Sequence, residues 1–260
     1  MLGIFITAGY PSYDESLEAL KFLDESEVDL IELGVPFSDP LADGPTIQKA
    51  SHEALVNGMN LDKVFQLVTE AKIKTKIILF SYFNPLYAYG FEKLVKRCQE
   101  TGVNGVLIPD LPVEEAEKYS AMFKDHGLDM ILLASITSSE ERLKKIVEHS
   151  HPWIYLVSRV GITGSNQEIS SLKKADDSEE KKLADVLAQL KKLTTKKIGI
   201  GFGIDSREKV DATLASGADM AIIGSKVIKE QEKGLEAFKD FINSLACHPE
   251  PKAKDPVDQL

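Results

Sequence analysis

Cysteine is scarce in this sequence. Of 260 residues only Cys98 and Cys247 are cysteines, and they lie far apart along the chain. Two distant thiols form neither a disulfide framework nor a metal-binding motif, and they suit a reducing compartment. Long apolar runs are also missing, since no stretch approaches the ~18 consecutive apolar residues of a membrane helix. The sequence therefore predicts neither a disulfide-stabilised secreted domain nor a membrane-spanning protein.

Basic residues are outnumbered by acidic ones. Lysine and arginine total 31 against 41 aspartates and glutamates, which gives a formal net charge of −10. This balance argues against nonspecific binding to nucleic acid or to acidic membranes, although it leaves room for a local basic pocket. The N-terminus, MLGIFITAGY, lacks the basic segment and the cleavage site of a signal peptide. We expect a protein of the cytoplasm or of a plastid stroma.

Short apolar runs alternate with longer amphipathic segments along the chain. Eight runs resemble buried strands, and the segments between them repeat apolar residues at helical spacing. Eight such units predict a (β/α)8 barrel, a single domain over residues 1–246, with an open doubly wound sheet as the alternative. We interpret residues 247–260 as a polar tail. The strand runs are LGIFI, DLIEL, KIILF, GVLIP, MILLA, WIYLV, KIGIG and MAIIG.

Two connections are longer than a scaffold needs. They span residues 34–46, after the second strand run, and residues 158–178, after the sixth. Long loops inside a compact domain are usually functional or disordered. In a barrel both would lie on the C-terminal face, where active sites are built. We therefore expect functional residues in both loops.

Glu32 lies inside the second strand run, DLIEL. Strand alternation places it on the same face as Leu30, and that face can point into the barrel mouth. A carboxylate there would be partly desolvated, which raises its pKa and suits it to acid–base catalysis. The alternative is an outward-facing glutamate paired with a basic helix residue, and position in the strand does not decide between the two.

Ordinary structural roles compete with function at several other positions. Asp39 and Asp43 lie in SDP and LADGP, where an aspartate commonly bonds to its own backbone. Asp110 precedes a helical segment and is a plausible cap for it. Tyr82, at the end of the third strand, either lines a pocket or covers apolar surface. Trp153 is expected to pack between the barrel and its helices.

Glycines cluster after the last three strand runs. They occur in GITG at 161–164, GFGI at 201–204 and IGS at 223–225. Barrel phosphate sites use backbone N–H groups from the loops after strands seven and eight, and glycine lets the backbone approach the anion. The clusters therefore predict a phosphorylated ligand, to which Ser225 can add a hydroxyl. Arg159 can pair with a phosphate or a carboxylate, or stay solvated.

Motifs along most of the chain resemble the tryptophan synthase alpha chain family. The most specific is ELGVPFSDPLADGPTIQKA at residues 32–50. The resemblance implies a barrel enzyme that cleaves indole-3-glycerol phosphate to indole and glyceraldehyde 3-phosphate. This retro-aldol reaction needs no cofactor or metal. The other motifs, in chain order, are ITAGYPS, SYFNP, IPDLPVEE, YLVSR, GITG, GFGI and IGS.

The resemblance also implies roles for individual residues. Glu32 and Asp43 match the family's catalytic glutamate and aspartate. Tyr155, Arg159 and Thr163 match residues of the mobile sixth loop and its approach, with Thr163 meeting Asp43 when the loop closes. The ligand-binding positions are Gly164, Gly203, Gly224 and Ser225 for the phosphate, and Tyr82 and Phe202 for the indole ring.

A partner is implied as well. The family's alpha chains pass indole to a beta subunit that carries pyridoxal phosphate, in an alpha2beta2 tetramer. Their second and sixth loops contact beta, which makes Pro36 and Asp39 the expected contact residues here. The resemblance implies no cofactor in this chain and no nucleic-acid or membrane partner.

Some features depart from the family pattern. The segment after the fifth strand run reads SITSSEER, with Ile136 in place of a proline, and Val160 stands where a polar residue is frequent. The family also usually carries an extra helix before the first strand. The alternatives are a free-standing lyase, a catalytically weak subunit that mainly activates beta, and another phosphosugar barrel such as an isomerase. The 32–50 motif and the presence of both acids favour the alpha subunit.

Overall fold

A closed barrel of eight parallel strands forms the centre of the computed structural model, which describes residues 1–157, 177–201 and 203–246. Each strand pairs with the next, and the eighth pairs with the first, so the sheet closes without a free edge. The predicted barrel is confirmed, and the open sheet is wrong. The strands are β1 (Leu2–Thr7), β2 (Leu30–Gly34), β3 (Lys76–Phe80), β4 (Gly105–Leu107), β5 (Asp129–Ser135), β6 (Trp153–Val157), β7 (Lys197–Gly201) and β8 (Met220–Ile223).

Eleven helices occur in the described residues, and none of them is long and apolar enough to cross a membrane. The sequence pattern missed α2 and α4, both inserted on the C-terminal face of the barrel. The pattern also predicts a single helical segment over residues 226–245, which the structure divides into α10 and α11 at Gly234, where φ is +111°. The helices are α1 (Tyr13–Glu25), α2 (Pro45–Val56), α3 (Leu61–Ala71), α4 (Phe83–Tyr89), α5 (Phe91–Thr101), α6 (Val113–Asp125), α7 (Glu140–His149), α8 (Asp177–Leu193), α9 (Arg207–Ala215), α10 (Ser225–Gln231) and α11 (Leu235–Ala246).

The two missed helices begin in segments that look like turns. Pro45 occupies the first turn of α2, where a proline costs no hydrogen bond and its fixed φ suits the helix. In α4 the sequence FNPLYAY is short and aromatic, so it shows no helical periodicity over a useful length. Both proline-containing segments therefore resembled loops although they start helices.

Alternating side chains divide the strands between two apolar cores. One face packs beneath the helices and includes Ile4, Ile31 and Leu33. The other face fills the barrel interior, and here the expectation for Trp153 was wrong. Its ring lies inside the barrel, 5.9 Å between centroids from that of Tyr155, because positions 153 and 155 share one face of β6. The interior core comprises Leu30, Ile78, Leu107, Ile131, Trp153, Tyr155, Met220 and Ile222.

Glycines in β7 accommodate these two aromatic rings. A Cβ at Gly199 would lie 2.9 Å from Trp153 Cζ3, and a Cβ at Gly201 would lie 1.9 Å from the Tyr155 hydroxyl. Strand β6 thus presents large side chains where β7 presents none, the large–small complementarity by which a small barrel is filled. The glycines of KIGIG consequently serve core packing as well as the loop that follows.

Asp110 caps a helix other than the expected one. Its Oδ1 accepts a hydrogen bond of 2.8 Å from the backbone N–H of Phe83, the first residue of α4. Helix α6, which follows Asp110 in the chain, starts after Pro112 without a side-chain cap. The bond joins the loop after β4 to the loop after β3. It therefore steadies the segment that carries Tyr82.

Gly105, at the start of β4, has no room for a side chain. A Cβ there would lie 2.1 Å from the carbonyl oxygen of Asp129 on β5, and backbone cannot move aside as a side chain can. We expect Gly105→Ala to lower the free energy of unfolding by roughly 3 kcal/mol or more. The measurement is equilibrium urea denaturation.

Gly102 provides the matched control. Its φ is +83°, but nothing lies within 4 Å of the position that a Cβ would take, so Gly102→Ala meets backbone strain without a clash. That strain should cost only ~1–2 kcal/mol. Equal losses for the two variants would contradict the packing argument for Gly105.

Candidate active site

Glu32 lies at the middle of β2 and points into the barrel. Its neighbours in register are Phe5 on β1 and Ile78 on β3, and the residue is 1% exposed. Within the described residues, its Oε1 has no hydrogen-bond partner. Burial without compensation raises the pKa of Glu32 to about 8. The carboxyl group is therefore mostly protonated at neutral pH, and the alternative of an outward-facing, ion-paired glutamate is wrong.

Asp43 is also buried but sits in a polar setting. It is 6% exposed, and its Oδ2 accepts a hydrogen bond of 2.9 Å from the hydroxyl of Tyr82. Burial raises the pKa of Asp43 to about 6, and the bond from Tyr82 opposes that rise. Asp43 is consequently mostly ionised at neutral pH, where Glu32 is mostly protonated.

The loop after β2 is held from both ends. The Tyr82 hydroxyl accepts a bond of 2.9 Å from the backbone N–H of Ala42, while it donates to Asp43. From α2, Gln48 Nε2 donates to the Asp43 carbonyl oxygen at 2.8 Å. The helix that the sequence pattern missed is thus one of the elements that fix the aspartate.

Tyr155 brings the two acids into one region. It lies on the inner face of β6, is 7% exposed and belongs to the interior core. Burial raises the pKa of the Tyr155 hydroxyl well above its usual value, and the charges of Glu32 and Asp43 raise it further. Tyr155 and Glu32 share the barrel interior, and Tyr82 is bonded to Asp43 at the mouth above β2 and β3. The structure therefore places these four residues, which the sequence singled out, at one end of the barrel.

Apolar rings line the same space. Phe5 and Phe80 meet edge to face with centroids 5.5 Å apart, and Phe37 packs at 5.4 Å from the ring of Tyr82. Gly34 makes room, since a Cβ there would lie 2.6 Å from Phe5 Cζ. The sequence did not single out these phenylalanines. Phe5 is placed here by its register with Glu32, which puts both on the inner face, and that register is known only from the folded chain.

The glycine-rich ends of β7 and β8 lie side by side. Gly201 pairs in register with Ile222, and Gly203 and Gly224 each follow two residues later. Gly203 has a φ of +71° and an exposed backbone, while Gly224 and Ser225 begin α10. Backbone N–H groups at these positions are suited to an anion. Among the described residues, no cluster of histidine, cysteine and acidic side chains could hold a metal ion.

Other predicted positions differ in what the structure offers. Arg159, Thr163, Gly164 and Phe202 lie outside the described residues, as does the tail at 247–260. Of the two expected partner contacts, Pro36 is buried and Asp39 is exposed. Beside Asp39, Leu41 is 81% exposed, which is unusual for a leucine.

The family model and the relatives with similar sequences carry the same description. A family model described as "Tryptophan synthase alpha chain" matches residues 2–256. The tryptophan synthase alpha chain of Acaryochloris marina is 42% identical over 248 residues, covering 93% of this chain and 89% of the relative. That of Synechocystis sp. is 41% identical over 248 residues, covering 93% and 90%.

Solved structures agree with the sequence relatives. A chain from a structure of the tryptophan synthase a2b2 complex of Pyrococcus furiosus has a TM-score of 0.81 and 36% identity, covering 94% of this chain and 96% of that one. A chain of Mycobacterium tuberculosis tryptophan synthase has a TM-score of 0.82 and 30% identity, covering 94% and 90%.

The buried Glu32 should make stability depend on pH in a defined direction. Folding raises its pKa from 4.5 to about 8, so the folded state holds the proton more tightly than the unfolded state. Its contribution is intact below pH 4.5 and is lost as pH rises through 8. Glu32→Gln removes the titrating group, and we expect the variant to exceed wild type in stability at pH 8 by several kcal/mol, since one pKa unit corresponds to ~1.4 kcal/mol.

The measurement is urea denaturation of both proteins at several pH values between 4.5 and 8. The stability difference should grow with pH across this window and level off above it. Glu27→Gln, an exposed acid-to-amide change just before the same strand, is the control for the loss of one carboxyl group. A constant difference between Glu32→Gln and wild type across the window would contradict the assignment.

Proposed function

The chain belongs to the tryptophan synthase alpha chain family, and from this premise we propose how its own residues cleave indole-3-glycerol phosphate to indole and glyceraldehyde 3-phosphate. The observation that carries the proposal is the opposite protonation of two buried carboxyl groups in one site. At neutral pH Glu32, with a pKa of about 8, holds a proton, whereas Asp43, with a pKa of about 6, is ionised. Because their pKa values differ, one carboxyl group can act as an acid while the other serves as an anion.

Glu32 acts first as an acid. The bond to be broken joins a ring carbon to the glycerol chain, and that carbon is a poor leaving group while the indole is aromatic. Transfer of the Glu32 proton to this ring carbon gives an indolenine, which accepts the electron pair of the breaking bond. The ring nitrogen becomes positive at this stage. The carboxylate of Asp43 stabilises that charge, and the bond from Tyr82 keeps it oriented.

Glu32 then acts as a base. Its carboxylate takes the proton of the hydroxyl on the carbon bonded to the ring, that carbon becomes the aldehyde, and the electron pair returns to the ring. Indole and glyceraldehyde 3-phosphate result, and Glu32 is protonated again. The proton that Glu32 gives to the ring carbon is replaced by the one it takes from the hydroxyl, and the electron pair of the broken bond stays on the indole. The reaction therefore requires no cofactor in this chain, and we assign pyridoxal phosphate to the beta partner.

The phosphate would bind at the ends of β7 and β8. Gly203, Gly224 and Ser225 supply backbone N–H groups and one hydroxyl there, and Gly164 would add to them. Phe5 and Phe80, with Tyr82 and Tyr155, give the indole an apolar and aromatic surround. Phe202, Arg159 and Thr163 complete the site in this proposal. Binding energy from the phosphate then positions the reacting carbon at Glu32.

The partner would be a tryptophan synthase beta subunit in an alpha2beta2 tetramer. A structural relative comes from such a complex, which supports a partner of this kind. Within the loop after β2, Asp39 and Leu41 are exposed on the same segment that holds Asp43. Pro36 is buried and would support that segment from below. A cytoplasmic or plastid location stays a prediction.

Indole release tests the catalytic pair. We expect Glu32→Gln to lose at least ~10²-fold in kcat, because the amide can neither give nor take the proton. Asp43→Asn should lose activity to a similar order, because the charge on the ring nitrogen is no longer compensated. The assay follows indole from indole-3-glycerol phosphate, with and without a tryptophan synthase beta subunit.

Glu27→Gln is the matched control and should keep wild-type kcat. Near-normal turnover by Glu32→Gln would contradict the mechanism. Failure of wild type to release indole even when bound to beta would instead favour a subunit that only activates its partner. Turnover by the isolated chain at many per second, unchanged by beta, would favour a free-standing lyase.

The exposed end of the second loop tests the partner assignment. We expect Asp39→Ala to raise the dissociation constant for beta roughly ten-fold while the turnover of the isolated chain stays at the wild-type level. Titration calorimetry with beta measures the affinity. Asp125→Ala, an exposed aspartate at the C-terminal end of α6 and so at the opposite end of the barrel, should bind beta normally. Equal affinities of the two variants would exclude Asp39 from the interface.

A further inference from the structure

Thr7 carries a buried hydroxyl that the mechanism has not used. It is the last residue of β1 and is 2% exposed. Among the described residues, its Oγ1 has no hydrogen-bond partner. A buried polar atom without a partner is unfavourable, and native proteins seldom keep one without a functional reason.

Strand register places this hydroxyl on the inner face of the barrel. Phe5 and Glu32 are register partners, and Thr7 and Gly34 are the next pair on the same face. Ile4, Ile6 and Ala8, which alternate with Phe5 and Thr7 along the chain, belong to the core beneath the helices. The side chains of β1 therefore alternate between the two faces up to the end of the strand. Thr7 is therefore a diagonal neighbour of Glu32, one inward position closer to the barrel mouth.

The order of the strands determines that the glycerol chain of the substrate passes Thr7. Strand β1 lies between β2, which carries Glu32, and β8, which leads to Gly224 and Ser225. Phe5 already borders Gly224, since a Cβ on that glycine would lie 3.5 Å from Phe5 Cβ. A glycerol chain with its reacting carbon at Glu32 and its phosphate at Gly224 must cross the end of β1.

We infer that the Thr7 hydroxyl binds the central hydroxyl of the glycerol chain, the one that does not react. This inference rests on the proposed function, because the positions of Glu32 and of the phosphate site define the path of the chain. A threonine hydroxyl both donates and accepts, and so it matches a neutral alcohol better than it would match a phosphate alone. Thr7 and Glu32 are similarly buried, and they are diagonal neighbours on the inner face.

The contact would select for substrates that carry this hydroxyl. Because the central hydroxyl is unchanged by the reaction, its bond is made in the bound substrate and in the transition state alike. Its loss should therefore raise KM and leave kcat nearly constant. A residue acting through Glu32 would instead lower kcat and move the pH profile.

The experiment compares two substrates and three proteins. The substrates are indole-3-glycerol phosphate and its analogue without the central hydroxyl, and the proteins are wild type, Thr7→Val and Thr7→Ser. On the natural substrate, Thr7→Val should raise KM by ~10-fold or more, with kcat within ~3-fold and an unshifted pH profile. Thr7→Ser keeps the hydroxyl and should stay within ~3-fold of wild type. On the analogue, wild type and Thr7→Val should have the same kcat/KM.

Three results would overturn the inference. One is an unchanged KM for a folded Thr7→Val, and another is an equal penalty for that variant on both substrates. The third needs no variant: wild type that handles the analogue as well as the natural substrate has no use for a contact to the central hydroxyl. Circular dichroism and the thermal midpoint establish that the variants are folded. Indole release by wild type tests the proposed function, and its outcome does not depend on the role of Thr7.

Discussion

The burial of one carboxyl group inside a closed sheet keeps that group protonated and makes the stability of this protein depend on pH. Glu32 lies between Phe5 and Ile78 in register, on the inner face of a barrel whose core residues there are mostly apolar. A charge there would be costly, so the group holds its proton to about pH 8. The barrel thereby keeps Glu32 protonated at a pH where the same group in water would be ionised. Keeping this carboxyl group buried lowers the free energy of unfolding as the pH rises from 4.5 to about 8.

A second carboxyl group, placed only a little differently, behaves in another way. Asp43 lies in a loop and accepts a hydrogen bond from Tyr82, whose hydroxyl is in turn held by the backbone of Ala42. The bond favours the ionised form and partly offsets the effect of burial. A strand and a loop thus supply an acid and an anion from the same side-chain chemistry. Helices α2 and α4, absent from a minimal barrel, support the loop that makes the difference.

Packing inside the barrel links the scaffold to the site. Strand β6 contributes the large side chains Trp153 and Tyr155, and the neighbouring positions of β7 are Gly199 and Gly201, which leave room for them. This exchange of large for small residues places the Tyr155 hydroxyl where the charges of both acids reach it. It also leaves β7 ending in Gly201, which has no side chain. Glycine therefore has two duties in neighbouring positions, one in the core and one at the expected phosphate site.

The order of the eight strands follows from the sequence alone, and so does the prediction of where along the chain the site lies. Eight apolar runs separated by amphipathic segments predicted the barrel, and the 32–50 motif with the glycine clusters predicted where its chemistry lies. These signals are local, since composition and periodicity are read within a few residues. The resemblance to a known family added the reaction and the roles of the acids.

The direction in which side chains face, and the distant groups that they meet, became known only from the folded chain. Alternation shows that Glu32 and Leu30 share a face, but closure of the sheet determines that this face is the interior one. The same closure turned Trp153 inward, against expectation. Asp110 bonds to Phe83, 27 residues away, and no local pattern records such a partner. Thr7 stood in a run of ordinary strand residues until the register with Glu32 placed its hydroxyl beside the site. Pairings between strands are made by residues far apart in the chain, and so they are not written in any single stretch of it.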